Sequence, residues 1–237
     1  MQDRYGHRIS YLRVSITDRC NERCTYCMPQ ELQEWLPRDG ILTFEETLRL
    51  IRIAAELGVS KVRVTGGEPL TRRDIVHFIA QIPKISGIKN LGLSTNGTLL
   101  ARQINSGKTM ATALRESGVQ SVNIYLDTLD RDVYSQITGR DFHAQVLEGI
   151  DAAITVGFDQ IKLNTVLMRG RNEDQLIPLI EFAASRNLIL RFIEMMPVST
   201  TEVLRENNFM STLEAKRLIE SFYGSLIPDE EFQTSIK

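Results

Sequence analysis

The three cysteines of the chain lie together in one short segment. This segment, TDRCNERCTYCMP from Thr17 to Pro29, contains Cys20, Cys24 and Cys27, and there are no others among the 237 residues. Three thiols at such short spacings make a poor disulfide framework, because one of them is left without a partner. Soft thiolate ligands suit zinc or an iron-sulfur cluster. The segment is therefore predicted to hold a metal.

The kind of metal site depends on the ligands that are available. A structural zinc site needs a further ligand beyond three cysteines, and the histidines, His7, His77 and His143, all lie outside the segment. A cubane held by three cysteines instead leaves one iron without a protein ligand, as a catalytic site requires. A catalytic cluster is favoured, and an inactive zinc-binding scaffold stays open as the alternative.

Short β-branched runs recur along the chain, and each is followed by a helical pattern. These runs cover residues 11–16, 61–65, 90–94, 121–126, 160–167 and 188–193. Strands that alternate with helices predict a parallel sheet of the α/β class. The strands carry one polar face, whereas the central strands of a doubly wound sheet are apolar on both faces. We therefore predict an incomplete (βα)6 TIM-like barrel with outer helices, as a single domain over residues 1–237.

Capping signals mark the starts of several predicted helices. Thr43 precedes a helix expected over 44–57, and Gly58 is expected to end it. Three pairs have capping-box spacing, namely Thr43 with Glu46, Asn172 with Gln175, and Ser211 with Glu214.

Cations line the polar faces of the predicted strands. Arg13, Arg63 and Lys162 share these faces, and Arg191 lies in the sixth strand. Burying several positive charges is costly unless anions meet them. Acidic partners or a polyanionic ligand could serve, since arginine suits bidentate phosphate recognition. The candidate acidic partners are Glu68, Asp127 and Glu194.

Composition limits the classes of partner. The formal charge of −2 and the isoelectric point near 6.0 give no general attraction to nucleic acid or to an anionic membrane. The N-terminus has no apolar signal region, and no apolar stretch approaches the length of a membrane span. We expect a cytoplasmic enzyme without nucleic acid or membrane partners.

The cysteine spacing, with Tyr26 just before the last cysteine, resembles the hallmark of the radical S-adenosylmethionine superfamily. TGGEPL, from Thr65 to Leu70, resembles the methionine-amine motif of that superfamily. The resemblance implies a 4Fe-4S cluster on Cys20, Cys24 and Cys27, with S-adenosylmethionine at the open iron. It also implies an external one-electron reductant and a 5'-deoxyadenosyl radical that abstracts hydrogen from the substrate.

Further segments are similar, in order, to those of the GTP 3',8-cyclase family, which opens molybdenum cofactor biosynthesis. They are LRVSITDRCNERCTYCMP, VRVTGGEPLTRRD, LSTNGTLL, IKLNTVLMRGRNEDQ and LRFIEMMPV. The resemblance implies GTP or a similar phosphorylated small molecule as substrate and leaves a homodimer open. A short radical enzyme acting on another phosphorylated substrate is the alternative.

The resemblance also implies roles for single residues. Cofactor contacts fall on Tyr26, Gly66, Gly67, Glu68, Tyr125 and Met196. Nucleotide contacts fall on Arg13, Arg63, Ser94, Lys162 and Arg191. Tyr125 stands where the family usually has a serine, and its larger side chain has a similar hydroxyl. The glycine pair permits close approach to a ligand, so a side chain at Gly67 is expected to weaken cofactor binding and to spare the cluster.

Some of these motifs also have a purely structural interpretation. The glycine pair could form an ordinary strand-to-helix turn, and Asn96 with Gly97 could form another. Met195 and Met196 could simply fill gaps in the core.

The family carries a C-terminal segment with further cysteines for a second cluster that holds the guanine. This chain reaches Lys237 without it. For residues 1–237 we therefore expect cleavage of S-adenosylmethionine and binding of GTP, with little cyclised product.

Overall fold

The computed structural model describes residues 2–27, 35–104, 107–196 and 208–229. The strands are β1 (Tyr11–Ser15), β2 (Lys61–Thr65), β3 (Asn90–Thr95), β4 (Ser121–Tyr125), β5 (Gln160–Leu167) and β6 (Ile189–Glu194). The α-helices are α1 (Phe44–Glu56), α2 (Ile75–Ile79), α3 (Met110–Glu116), α4 (Arg131–Thr138), α5 (His143–Val156), α6 (Leu176–Ser185) and α7 (Thr212–Tyr223). Within these described ranges, no helix has the length and apolar character that a membrane crossing requires.

The six strands form one parallel sheet in which spatial order follows chain order from β1 to β6. Each strand ends within one residue of its predicted end. In the part of the chain that the structure describes, β1 and β6 are the two edges of the sheet and do not pair. The predicted α/β class and incomplete barrel are thus confirmed, since parallel strands in sequential order with intervening helices are the arrangement of TIM-like barrels.

The two faces of the sheet differ in polarity, as the alternation of polar and apolar residues along the strands predicts. Val62 and Val64 on β2 are 1% and 0% exposed, whereas Arg63 between them lies on the opposite face and is half-buried. Leu93 and Ile124 continue the apolar face on β3 and β4. The main core therefore lies between the outer face of the sheet and the helices, and the polar side chains line the inside of the barrel.

Two of the three predicted capping boxes are present. The Thr43 hydroxyl accepts from the Glu46 amide at 3.2 Å, and the Glu46 carboxylate accepts from the Thr43 amide at 2.8 Å. The box before α7 is also complete. The third prediction was wrong, because the Asn172 side chain is buried and does not cap the turn that follows it. Its amide instead donates to the main-chain oxygens of Asp127 and Val166, both at 2.9 Å, which joins the ends of β4 and β5.

The turn after β2 lies against the cysteine loop, which we define as residues 17–27. The Gly67 amide donates to the Thr17 oxygen at 2.8 Å, and the Glu68 amide donates to the Arg19 oxygen at 2.8 Å. A Cβ atom on Gly67 would lie 2.4 Å from the Arg19 oxygen. Glycine is therefore required here by the approach of two backbones. A side chain at Gly67 would therefore also meet the backbone of the cysteine loop, in addition to any effect on cofactor binding.

We predict that Gly67→Ala lowers the free energy of unfolding by about 1–3 kcal/mol, the usual range for overpacking, because the cysteine loop must move away. Denaturant unfolding of the metal-free protein measures the change. Gly40→Ala is the matched control, since a Cβ there would meet only side-chain atoms of Pro37 and Leu36 at 3.7 Å or more. Equal stability of the two variants would show that the contact between the two backbones is not a constraint.

Candidate active site

A cavity of about 680 Å³ opens at the carboxyl ends of the strands, next to the cysteine loop. The predicted site residues that line it are Arg13, Cys20, Cys24, Tyr26, Cys27, Gly66, Gly67, Ser94, Tyr125 and Met196. The lining residues that were not predicted to contact the cofactor or the nucleotide are Glu22, Thr65, Thr95, Asn96, Val166, Ile193, Glu194 and Met195. The predicted residues outside the lining are Arg63, Glu68, Lys162 and Arg191. One cavity thus contains the cysteines and most of the residues expected at the cofactor.

The three cysteines are free thiols that face this cavity. Burial raises the pKa of Cys20 to about 11 and raises the pKa values of Cys24 and Cys27. Thiolates bind metal, whereas thiols do not, so these cysteines need the positive charge of a metal to ionise. Metal binding at this loop therefore releases protons.

The arrangement of the cysteines is compatible with an iron-sulfur cluster. Among the described residues, no group of three or more histidine, cysteine, aspartate or glutamate side chains converges on one metal ion. Iron-sulfur clusters bind each thiolate to a different iron, so their ligands face a shared volume and need not meet at one point. Cys20, Cys24 and Cys27 meet that condition by lining the same cavity.

The turn after β3 anchors the cysteine loop. The Asn96 amide group donates to the Asn21 oxygen at 2.8 Å, and the Asn21 amide group donates to the Thr98 hydroxyl at 2.9 Å. The Thr98 hydroxyl in turn donates to the Asn96 oxygen at 2.8 Å. This closed set of hydrogen bonds gives Asn96 a specific task beyond that of a turn residue, and it fixes the chain between Cys20 and Cys24.

The carboxyl end of α4 holds the middle of the loop. The amides of Arg23 and Thr25 donate to the Thr138 and Ile137 oxygens, both at 2.8 Å. These bonds satisfy carbonyl groups at the end of a helix, which have no partner within the helix itself. The loop is thereby fixed through its backbone on the side away from the cavity.

Tyr26 is fixed by a buried carboxylate. Its hydroxyl donates to Asp127 at 2.8 Å, and the other oxygen of Asp127 accepts from the Val166 amide at 2.7 Å. Burial raises the pKa of Asp127 to about 6. The sequence gives Asp127 as a candidate partner for the cations, but its two oxygens hold Tyr26 and β5 instead.

Glu22 and Glu68 are two further buried acids beside the loop. Glu22 accepts from the Tyr134 hydroxyl, and burial raises its pKa to about 7. Glu68 accepts from the Thr95 hydroxyl at 2.9 Å and from the main-chain amide of Asn96 at 2.7 Å. Burial raises the pKa of Glu68 to about 7. The placement of Glu68 does not match a direct cofactor contact by its side chain, because the carboxylate faces protein and is 0% exposed.

Arg63 lies inside the barrel and donates to three protein oxygens. They belong to the Tyr11 hydroxyl at 2.9 Å, the Leu93 main chain at 2.8 Å and the Ser121 hydroxyl at 3.0 Å. A Cβ on Gly92 would lie 2.7 Å from the guanidinium carbon, so this glycine makes room for the side chain. All the acceptors are neutral, and the charge of Arg63 is not balanced by them.

Arg191 is held in the same way, by a neutral oxygen, and Lys162 lies near it. Arg191 donates twice to the Asn164 oxygen, at 3.0 and 2.7 Å. Burial, together with Arg191 and Arg63, lowers the pKa of Lys162. Within the described ranges, no ion pair involves any of the four cations, Arg13, Arg63, Lys162 and Arg191. Glu194, the remaining candidate partner, accepts from Thr212.

Comparison with known proteins places the chain in a family. Residues 14–183 match the model of the radical SAM superfamily. The GTP 3',8-cyclase of Petrotoga mobilis is 42% identical over 219 residues, which cover 92% of this chain and 66% of that protein. The GTP 3',8-cyclase of Pelotomaculum thermopropionicum is 42% identical over 228 residues, which cover 96% of this chain and 68% of that protein. The chain thus spans about two thirds of the length of these relatives.

Solved structures show the same fold at low identity. Streptococcus suis SuiB bound to S-adenosylmethionine is 18% identical with a TM-score of 0.66, over 90% of this chain and 48% of that one. The [FeFe]-hydrogenase maturase HydG is 16% identical with a TM-score of 0.67, over 91% of this chain and 49% of that one. A 4Fe-4S cluster and S-adenosylmethionine, predicted from the sequence, are the cofactors of the superfamily. The cysteine loop, the fold and these matches together show that the chain belongs to the radical SAM superfamily and, within it, to the family of the GTP 3',8-cyclases.

Proposed function

We propose that the protein uses S-adenosylmethionine to start radical chemistry on GTP, in the reaction of a GTP 3',8-cyclase and the first step of molybdenum cofactor biosynthesis. When bound, the cluster and S-adenosylmethionine supply an electron and a 5'-deoxyadenosyl radical. The observation that carries the proposal is the set of Arg13, Arg63, Lys162 and Arg191, which has no acidic partner among the described residues. Arg13 lines the cysteine-lined cavity and pairs in register with Arg63 on the neighbouring strand. A triphosphate supplies the missing negative charge.

The protein side chains divide the work of binding. Cys20, Cys24 and Cys27 would hold the cluster, and Tyr26, Gly66, Gly67, Tyr125 and Met196 would surround the cofactor. Arg13, Arg63, Ser94, Lys162 and Arg191 would hold the nucleotide. The role of Glu68 is to fix the turn after β3.

Other parts of the proposal follow from the same chemistry. An external one-electron reductant would reduce the cluster, because reductive cleavage of S-adenosylmethionine consumes an electron. We infer a cytoplasmic protein that requires neither nucleic acid nor a membrane.

Cys24→Ala is expected to abolish cluster assembly, because two thiolates cannot hold the cubane and leave an iron open. Iron and sulfide content after anaerobic reconstitution, and formation of 5'-deoxyadenosine after dithionite reduction, measure the loss. Thr25→Ala is the matched control, since Thr25 is held to α4 through its backbone amide. Normal iron content and intact cofactor cleavage in Cys24→Ala would overturn the cluster assignment.

Lys162→Met is expected to weaken GTP binding about tenfold, the effect of losing one charge-assisted hydrogen bond, and Arg13→Ala is expected to act in the same direction. The effect decreases at high salt, and GDP binds less tightly than GTP because it carries less charge. Calorimetric titration of the reconstituted protein measures these affinities. Lys108→Met is the control, because Lys108 pairs with Glu116 on the surface at 2.7 Å. Affinity that is indifferent to Lys162, Arg13 and the third phosphate would refute a triphosphate site.

A further inference from the structure

Asn123 has a buried side-chain oxygen without a hydrogen-bond partner. The residue is 8% exposed, and its Oδ1 atom is enclosed and unpaired. A buried acceptor without a donor is costly, so native proteins rarely retain one unless a ligand or water completes it. This atom therefore indicates a donor that the described residues do not supply.

The position of Asn123 identifies the source of that donor. On the polar face of β4 the residue pairs in register with Ser94 of β3 on one side and Lys162 of β5 on the other. Ser94 lines the cavity, and Lys162 belongs to the interior cations. Asn123 therefore lies at the boundary between the cysteine-lined cavity and the cationic interior.

Two other polar side chains on this face have hydrogen-bond partners. The Asn164 oxygen accepts from Arg191, and the Ser121 hydroxyl accepts from Arg63. Although Asn123 and Lys162 are adjacent in register, no hydrogen bond joins the Asn123 oxygen to Lys162. The Asn123 oxygen thus lacks a hydrogen bond, whereas Asn164 and Ser121 on the same face of the sheet each accept one.

An amide oxygen cannot bind an ionised phosphate, because both groups are acceptors. A nucleotide carries donors on its ribose hydroxyls and on its base. If the phosphates lie at Lys162, the sugar is the next group along the ligand, so its hydroxyls are the first donors available to Asn123, which pairs with Lys162 in register. We propose that the Asn123 oxygen accepts a hydrogen bond from a ribose hydroxyl of the bound triphosphate and so distinguishes ribonucleotides from their deoxy forms. This assignment rests on the proposed function.

The test compares four ligands on the reconstituted protein by calorimetric titration: GTP, 2'-deoxyGTP, 3'-deoxyGTP and inorganic tripolyphosphate. Wild type should prefer GTP over one of the two deoxy analogues by about tenfold, the effect of one hydrogen bond. Asn123→Ala should lose that preference and retain wild-type affinity for tripolyphosphate. Asn164→Ala is the matched control, because its oxygen supports Arg191. Asn164→Ala should weaken the binding of GTP and of tripolyphosphate equally and should retain the preference for the ribose hydroxyl.

Stability provides an independent readout of the same contrast. Without nucleotide, Asn164→Ala should lower the unfolding temperature more than Asn123→Ala does. The first substitution removes an oxygen that accepts a hydrogen bond from Arg191, whereas the second removes an oxygen that has no partner. If Asn123→Ala does not fold, Asn123→Leu of similar volume takes its place. If the Asn123 variant still binds GTP and keeps the preference for the hydroxyl, the assignment of Asn123 is overturned and the proposed function is not. Failure of wild type to bind GTP or tripolyphosphate would overturn the proposed function together with it.

Discussion

The fold of the site depends on the close packing of the cysteine loop against the turn after β2. The Gly67 amide bonds to Thr17, and there is no space between the two backbones for a side chain. The Asn21–Asn96 hydrogen bond and the end of α4 then fix the same loop from two other directions. Because the strands are parallel and sequential, their carboxyl ends bring these contacts together at one edge. The thiols are thus held facing the cavity by neutral backbone and amide groups.

Charge is divided along the barrel axis. Around the cysteine loop, Glu22, Glu68 and Asp127 are buried acids whose pKa values are raised by burial, and each already accepts hydrogen bonds from protein groups. Inside the barrel, Arg63 and Arg191 donate to neutral oxygens. Because the interior arginines donate only to neutral oxygens, a bound polyanion can supply the negative charge that the described residues do not.

Much of the architecture could be predicted from the sequence, because strand alternation and capping residues act locally. Long-range partners could not be predicted, since spacing does not show which side chains meet. Asn172 has capping-box spacing, yet tertiary contacts bury it and use its amide between β4 and β5. Asn96 resembles a simple turn residue, and its bond to Asn21 spans 75 positions of the chain. Glu68 lies in a cofactor motif, but its carboxylate holds the neighbouring turn.

The central claim is that the three cysteines hold a cluster whose open iron faces the cavity. Electron paramagnetic resonance of the anaerobically reconstituted, dithionite-reduced protein tests it most directly, with spectra taken before and after addition of S-adenosylmethionine. We expect the signal of a reduced 4Fe-4S cluster, with about four iron atoms per chain, and a change of its g values when S-adenosylmethionine binds the open iron. A protein that takes up zinc without a paramagnetic signal, or a cluster spectrum that S-adenosylmethionine leaves unchanged, would contradict it.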